Sequence, residues 1–153
     1  MIKSLFSILL LSLFSCLILH AQENPFIGAW ELTGIPADAG YSFQKYFDET
    51  GEFYNTRTAG DKVVKTHHGK YVIKNKTEYQ EFIAKDTDQF MAKAAGKTAY
   101  IYYKFSEDKK LMTLWADPVP GNSGWHETWR RIDVEKLALL GAPINYKSGF
   151  LAR

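Results

Sequence analysis

Between residues 26 and 132 the chain is a succession of short runs in which aromatic and β-branched residues alternate with polar ones. Glycine, asparagine, aspartate or serine punctuates nearly every run. Period-two alternation marks strands, because successive side chains point to opposite faces. The pattern predicts strands over 26–33, 42–47, 52–58, 63–74, 77–84, 98–105, 111–116 and 125–132, with Gly69 a break in the fourth. Pro25 stands just before the first, where a strand can begin. Asp48-Glu49-Thr50-Gly51 reads as a hairpin turn, and 59–61, Asn75-Lys76 and 106–110 as further reversals. Segments 34–40 and 117–124 are loops by composition. Residues 85–97 differ in character. Within them 88–95 has helix propensity for two turns at most, with Asp88 as cap and Gly96 as stop. Residues 134–141 read as a second short helix, followed by a tail containing Pro143.

Seven or eight strands in series, with short reversals and no long helix between them, require antiparallel up-and-down pairing. Closing such a sheet joins its first strand to its last and removes both free edges. The opening stretch Gly28-Ala29-Trp30-Glu31 and the closing stretch Trp125-His126-Glu127-Thr128-Trp129-Arg130-Arg131 suit that join. Trp30 and either Arg130 or Arg131 form a cation–π pair across such a seam, with about 0.5–2 kcal/mol to gain. The expected fold is therefore all-β: one antiparallel barrel of about eight strands, with a short helix before the sixth strand and another at the C-terminus. A two-sheet sandwich is the rival, and the seam and the meander of hairpins favour the barrel.

The first 21 residues stand apart. Lys3 precedes an apolar run ending at His20-Ala21-Gln22, the pattern of a secretory signal peptide cleaved after Ala21. The expected location is secreted or periplasmic, and residues 22–153 form the barrel domain. Leu13-Phe14-Ser15-Cys16 offers the alternative of a lipoprotein anchored to a membrane through Cys16. Cleavage leaves 132 of the 153 residues, enough for one core, with no cysteine and hence no disulfide. The net charge falls from +2 to +1 when Lys3 leaves. That near-neutral balance argues against a nucleic-acid partner.

Candidate chemistry is sparse. His67 and His68 are adjacent, so in a regular strand they cannot face one cavity, and no His-x-His or cysteine accompanies them. They read as strand-end surface histidines, and neither metal nor cofactor is expected. No G-x-S-x-G element is present, so no nucleophile is assigned. Glu81 and Glu127 both sit mid-strand. Tyr79, Glu81 and Ile83 share one face, as do Trp125, Glu127, Trp129 and Arg131. If these faces point inward, the interior carries two carboxylates that must be paired. Tyr100, Tyr102 and Lys104 share one face of the sixth strand, and Ile101, Tyr103 and Phe105 the other. Such mixed alternation does not decide which face is inside.

Several motifs occur in a telling order: Gly28-x-Trp30-x-Leu32, the hairpin from Phe47 to Asn55, Gly69-Lys70-Tyr71, Tyr103 to Thr113, and Glu127-x-Trp129-Arg130-Arg131. Together they resemble the lipocalins and wider calycins, and most closely the secreted lipocalin-like domains of unknown function. The resemblance covers most of residues 26–132. It implies an eight-stranded barrel with a pocket for a small apolar or amphipathic ligand, and it brings no catalytic residues. The residues expected at the barrel interior or mouth are Tyr71, Tyr79, Glu81, Phe90, Met91, Tyr103, Trp115, Glu127 and Trp129. Segment 85–97 is expected to lie over one mouth and to control entry. Three functions are in play: a ligand-binding protein, a filled non-enzymatic module that binds a protein or glycan partner, and a hydrolase or isomerase using Glu81 and Glu127.

Overall fold

Each predicted strand pairs with its neighbours in sequence, and the last returns to the first. The computed structural model describes residues 24–86, 89–119, 121 and 123–133. It contains β1 Gly28–Leu32, β2 Tyr41–Phe47, β3 Glu52–Ala59, β4 Lys62–Ile73, β5 Glu78–Ile83, β6 Thr98–Phe105, β7 Leu111–Ala116 and β8 Trp125–Arg131. All pairs are antiparallel, and the strands form a closed barrel in sequence order. The closing pair sets Trp30 opposite Arg131, Glu31 opposite Arg130 and Leu32 opposite Trp129. The proposed leader and the helix expected over 134–141 lie outside the described residues.

Register fixes which side chains look inward, because residues directly opposite each other share a face. Phe47, Phe53, Tyr71, Tyr79, Ile101, Tyr103, Met112, Leu114 and Trp129 form one interior cluster with Trp30. The tight turn at 60–61 lies at one end of the barrel, and the other three tight hairpins, at 48–51, 74–77 and 106–110, lie at the end that is sealed. Phe26 enters there just ahead of β1 and is fully buried. Its ring lies 4.7 Å from Tyr103, 4.9 Å from Tyr79, 5.1 Å from Phe105 and 5.2 Å from Phe47, centroid to centroid. The indole of Trp30 donates to Phe26 O at 2.9 Å. Arg131 stacks on the Trp30 ring at 4.3 Å and donates to Pro25 O, Ile27 O and Lys109 O. One guanidinium thus joins the plug, the first strand and the turn before β7. Arg130 faces outward and pairs with Glu31 at 3.1 Å.

A second buried cluster lies on the opposite face of β1–β3. Ala29, Tyr46 and Ile132 pack there with Tyr54, whose ring stacks on Tyr46 at 4.4 Å. Gln44 is buried beside them and accepts from Thr56 and Thr58. Strands β2 and β3 are therefore covered on both faces.

Two local readings are corrected. Strand β4 runs unbroken through Gly69, where a Cβ would stand 2.0 Å from Phe82 O. Glycine there permits close approach of β5; it does not stop the strand. The irregularity in β4 lies at Thr66 instead: Asn55 opposes His67 and Thr56 opposes Lys65, so Thr66 is the extra residue of a bulge. The helix before β6 is a 3-10 segment, Gln89–Ala94, and not two α turns. So short a run cannot repay α nucleation, and Ala95 and Lys97 instead donate three residues back, to Ala92 and Ala94.

Replacing Trp30 by alanine should cost about 3–5 kcal/mol in urea unfolding, because a fully buried indole and its hydrogen bond are lost together. Replacing Arg130 should cost less than about 1 kcal/mol, since its ion pair is solvated. Equal losses at the two sites would break this account of the seam.

Candidate functional site

Above the aromatic floor the interior turns polar. Phe43, Lys45 and Phe47 share the inward parity of β2, and Tyr79, Glu81 and Ile83 that of β5. The two sequences thus aim a lysine and a glutamate into the barrel from different walls. Lys45 Nζ meets Glu81 Oε1 at 2.5 Å, with both side chains 4% exposed. Tyr79 donates its hydroxyl to the same carboxylate oxygen at 2.9 Å. Burial and the Glu81 charge together push the Tyr79 hydroxyl well above its ordinary range. The ammonium is also framed by the rings of Phe53, Phe47 and Trp129, 5.4, 5.5 and 5.8 Å away. Such rings stabilise a cation through their negative faces.

Three further groups complete this layer. Asn55 opposes both Lys45 and His67 in register. It is 8% exposed, and its Oδ1 is buried without a hydrogen-bond partner among the described residues. His67 takes the inward face because of the Thr66 bulge, and its ring lies 5.8 Å from Phe53. Its imidazole is held down to about 4 from the usual 6.5, by burial first and then by the Lys45 charge, with the Glu81 charge opposing. It is therefore neutral at physiological pH. Glu127, opposite Leu114, accepts the indole N–H of Trp129 at 3.0 Å.

This layer looks toward the end that bears the longer connections, 33–40, 84–97 and 117–124. Leu32, Phe43 and Trp125 stand near that rim, and Arg57 stacks on Tyr41 at 5.0 Å. The base of the 84–97 connection is tied to β5 by Gly96 N–H to Ile83 O and Ile83 N–H to Lys97 O. Ala94, in its 3-10 segment, packs against the interior cluster. The Phe90 and Met91 side chains, expected to supply the apolar contact, lie outside the described residues.

The expected site residues divide. Glu81, Glu127, Tyr79 and Trp129 meet in the polar layer. Tyr71 and Tyr103 point inward at the sealed end and serve its turns: Tyr71 donates to Asp48 O and Tyr103 to Asn75 O. Trp115 faces outward, stacked on Tyr102 at 5.7 Å, because Leu114 takes the inward position beside Tyr103. The histidines are not at strand ends. His67 enters the interior, whereas His68 faces outward toward Asp86 at 3.3 Å. Lys45, Asn55 and Phe26 were not among the residues expected at the site. A lysine in phase with Phe43 and Phe47 is the signal that could have found the first.

Removing one partner of the buried pair leaves the other charge uncompensated, so Lys45→Met should cost about 3–5 kcal/mol. Lys45→Met combined with Glu81→Met should recover most of that loss, as measured in urea. A double variant as weak as the single would mean that the pair itself supplies the stability. Acid should act through His67. The unfolded chain takes up this proton as pH falls through 6.5, whereas the folded one waits until about 4. The His67 contribution is therefore complete above 6.5 and declines as pH falls through that window, by at most about 1.4 kcal/mol per unit. In His67→Gln this slope should disappear from the urea midpoints.

Among the described residues no three His, Cys, Asp or Glu side chains cluster so as to hold a metal ion. No curated protein matches this chain. The family described as Domain of unknown function (DUF4488) matches residues 26–142, a span that takes in the plug and all eight strands. The chain belongs to that family of domains of unknown function.

Proposed function

We propose that this protein is an exported binder of one small apolar or amphipathic molecule, held inside the barrel with its polar end among Lys45, Asn55, His67 and Glu81. The observation that carries this reading is Asn55 Oδ1, a buried acceptor left without a partner in the interior. An unmet buried polar group costs about 1–3 kcal/mol, which a bound donor recovers. The asymmetry of the barrel supports the same reading. Phe26 blocks one end, while the polar layer faces the end with the long connections. An eight-stranded barrel can hold one small ligand when side chains do not fill it. Sealed floor, Trp30–Arg131 stack and meander together support the lipocalin-like resemblance. Export rests on the sequence of residues 1–21, with the Cys16 lipoprotein as its alternative.

A second reading, a filled module that binds a protein or glycan partner, is favoured by the outer face. There Tyr100 is 70% exposed, and the stacked Tyr102–Trp115 pair lies nearby. The two readings separate by titration. With N-phenyl-1-naphthylamine, a neutral amphipathic fluorophore, the ligand reading expects saturable one-to-one quenching of tryptophan. It also expects thermal stabilisation that follows mass action, about 2.7 kcal/mol at a hundredfold excess over Kd. Absence of saturable binding, with native mass spectrometry finding no retained adduct on protein from its own compartment, would leave the filled module in its place.

A further inference from the structure

Resting on the ligand-binding reading, we infer that the interior site selects a hydrogen-bond-donating, non-anionic head group, an alcohol, phenol or amide N–H, and discriminates against carboxylates. Three observations converge on this. The unmet atom is an acceptor: Asn55 Oδ1 can take a hydrogen bond and cannot give one. A hydroxyl fits it, an ether does not, and a carboxylate oxygen set against it is two acceptors face to face.

The cation that would otherwise attract an acid is already committed. Lys45 Nζ is neutralised by Glu81 at 2.5 Å and hemmed in by Phe47, Phe53 and Trp129. Drawing it toward a second carboxylate would strand Glu81 and the Tyr79 hydroxyl bonded to it. Of the arginines with inward register, Arg131 is held at the sealed end by three backbone carbonyls, and Arg57, two residues beyond Asn55 at the open rim, is exposed and stacked on Tyr41.

The remaining charge in the layer is negative. Glu127 faces inward with its Oε2 against the Trp129 indole, and His67 sits neutral beside Asn55. Lys45, Glu81 and Glu127 thus sum to one negative charge in a confined, partly desolvated space. An incoming anion meets repulsion there, whereas a neutral donor meets none.

The test uses three compounds that share one hydrocarbon: 2-(2-naphthyl)ethanol, its methyl ether and 2-naphthylacetate, titrated into the mature protein by calorimetry at neutral pH. The alcohol should bind at least tenfold more tightly than either of the others. In Asn55→Leu the alcohol should lose its advantage over the ether while the ether still binds. In Glu127→Gln the gap between alcohol and acid should narrow. Equal affinity for alcohol and ether, or tightest binding of the acid, would overturn the inference and leave the ligand-binding reading standing. No binding of any of the three would remove both. An alcohol preference that survives Asn55→Leu would overturn the assignment to Asn55, and the wild-type series decides the head-group class even if that variant fails to fold.

Discussion

A sheet of eight strands with both edges free would present two rows of unpaired backbone groups, and closure at β1 and β8 removes them both. That closure is held by the Arg131 guanidinium. It stacks on Trp30, which pairs with it in register, and ties down the carbonyls of Pro25 and Ile27 on either side of Phe26. The plug is therefore part of the seam. Phe26 cannot leave the floor without breaking contacts to the last strand, and the last strand cannot leave without exposing Trp30. A cation suits this place because stacking and carbonyl acceptance occupy different parts of one planar group.

Above that floor, the interior divides into a layer packed like a core and a layer that is polar. The first is aromatic, and its tyrosine hydroxyls reach out to turn carbonyls at Asp48 and Asn75. The second holds an ion pair, a neutral imidazole, an amide with one acceptor unmet and a carboxylate bonded to an indole. An entirely apolar interior would be simpler to stabilise, since buried ion pairs seldom outdo well-packed hydrophobic residues of similar volume. The proposed ligand-binding reading rests on that layer. The bulge at Thr66 belongs to the same layer, for it turns His67 inward and Lys65 outward although they are two residues apart.

Strand number, order and closure were legible in the sequence, because tight reversals at Asp48–Gly51 and 106–110 permit only neighbouring pairs. The seam was legible too, since only the end strands could supply it. Inward and outward faces were not. On β2, Gln44 and Tyr46 are buried on one face while Lys45 and Phe47 are buried on the other, so the contrast that alternation depends on is erased. The bulge hides a change of phase within β4 for the same reason. Lys45 escaped notice because a lone lysine in a strand ordinarily marks solvent, and its partner lies 36 residues away on another wall. Trp115 misled through the opposite prejudice, a large aromatic ring taken for an interior one.

The distance along the chain between the plug and its clamp governs how the fold can be reached. Pro25 and Arg131 are 106 residues apart. A chain delivered from its N-terminus, by the ribosome or through a membrane pore, presents Phe26 and β1 first and β8 last. Hairpins from β2 to β7 can zip as they emerge, because each joins near neighbours. Until the final strand arrives, however, β1 and β7 remain as two open edges with Trp30 and the floor of the barrel unguarded. The interval before β8 docks is the time when this chain is most open to pairing with another copy of itself. A terminus that stops short of Arg131 would make that interval permanent.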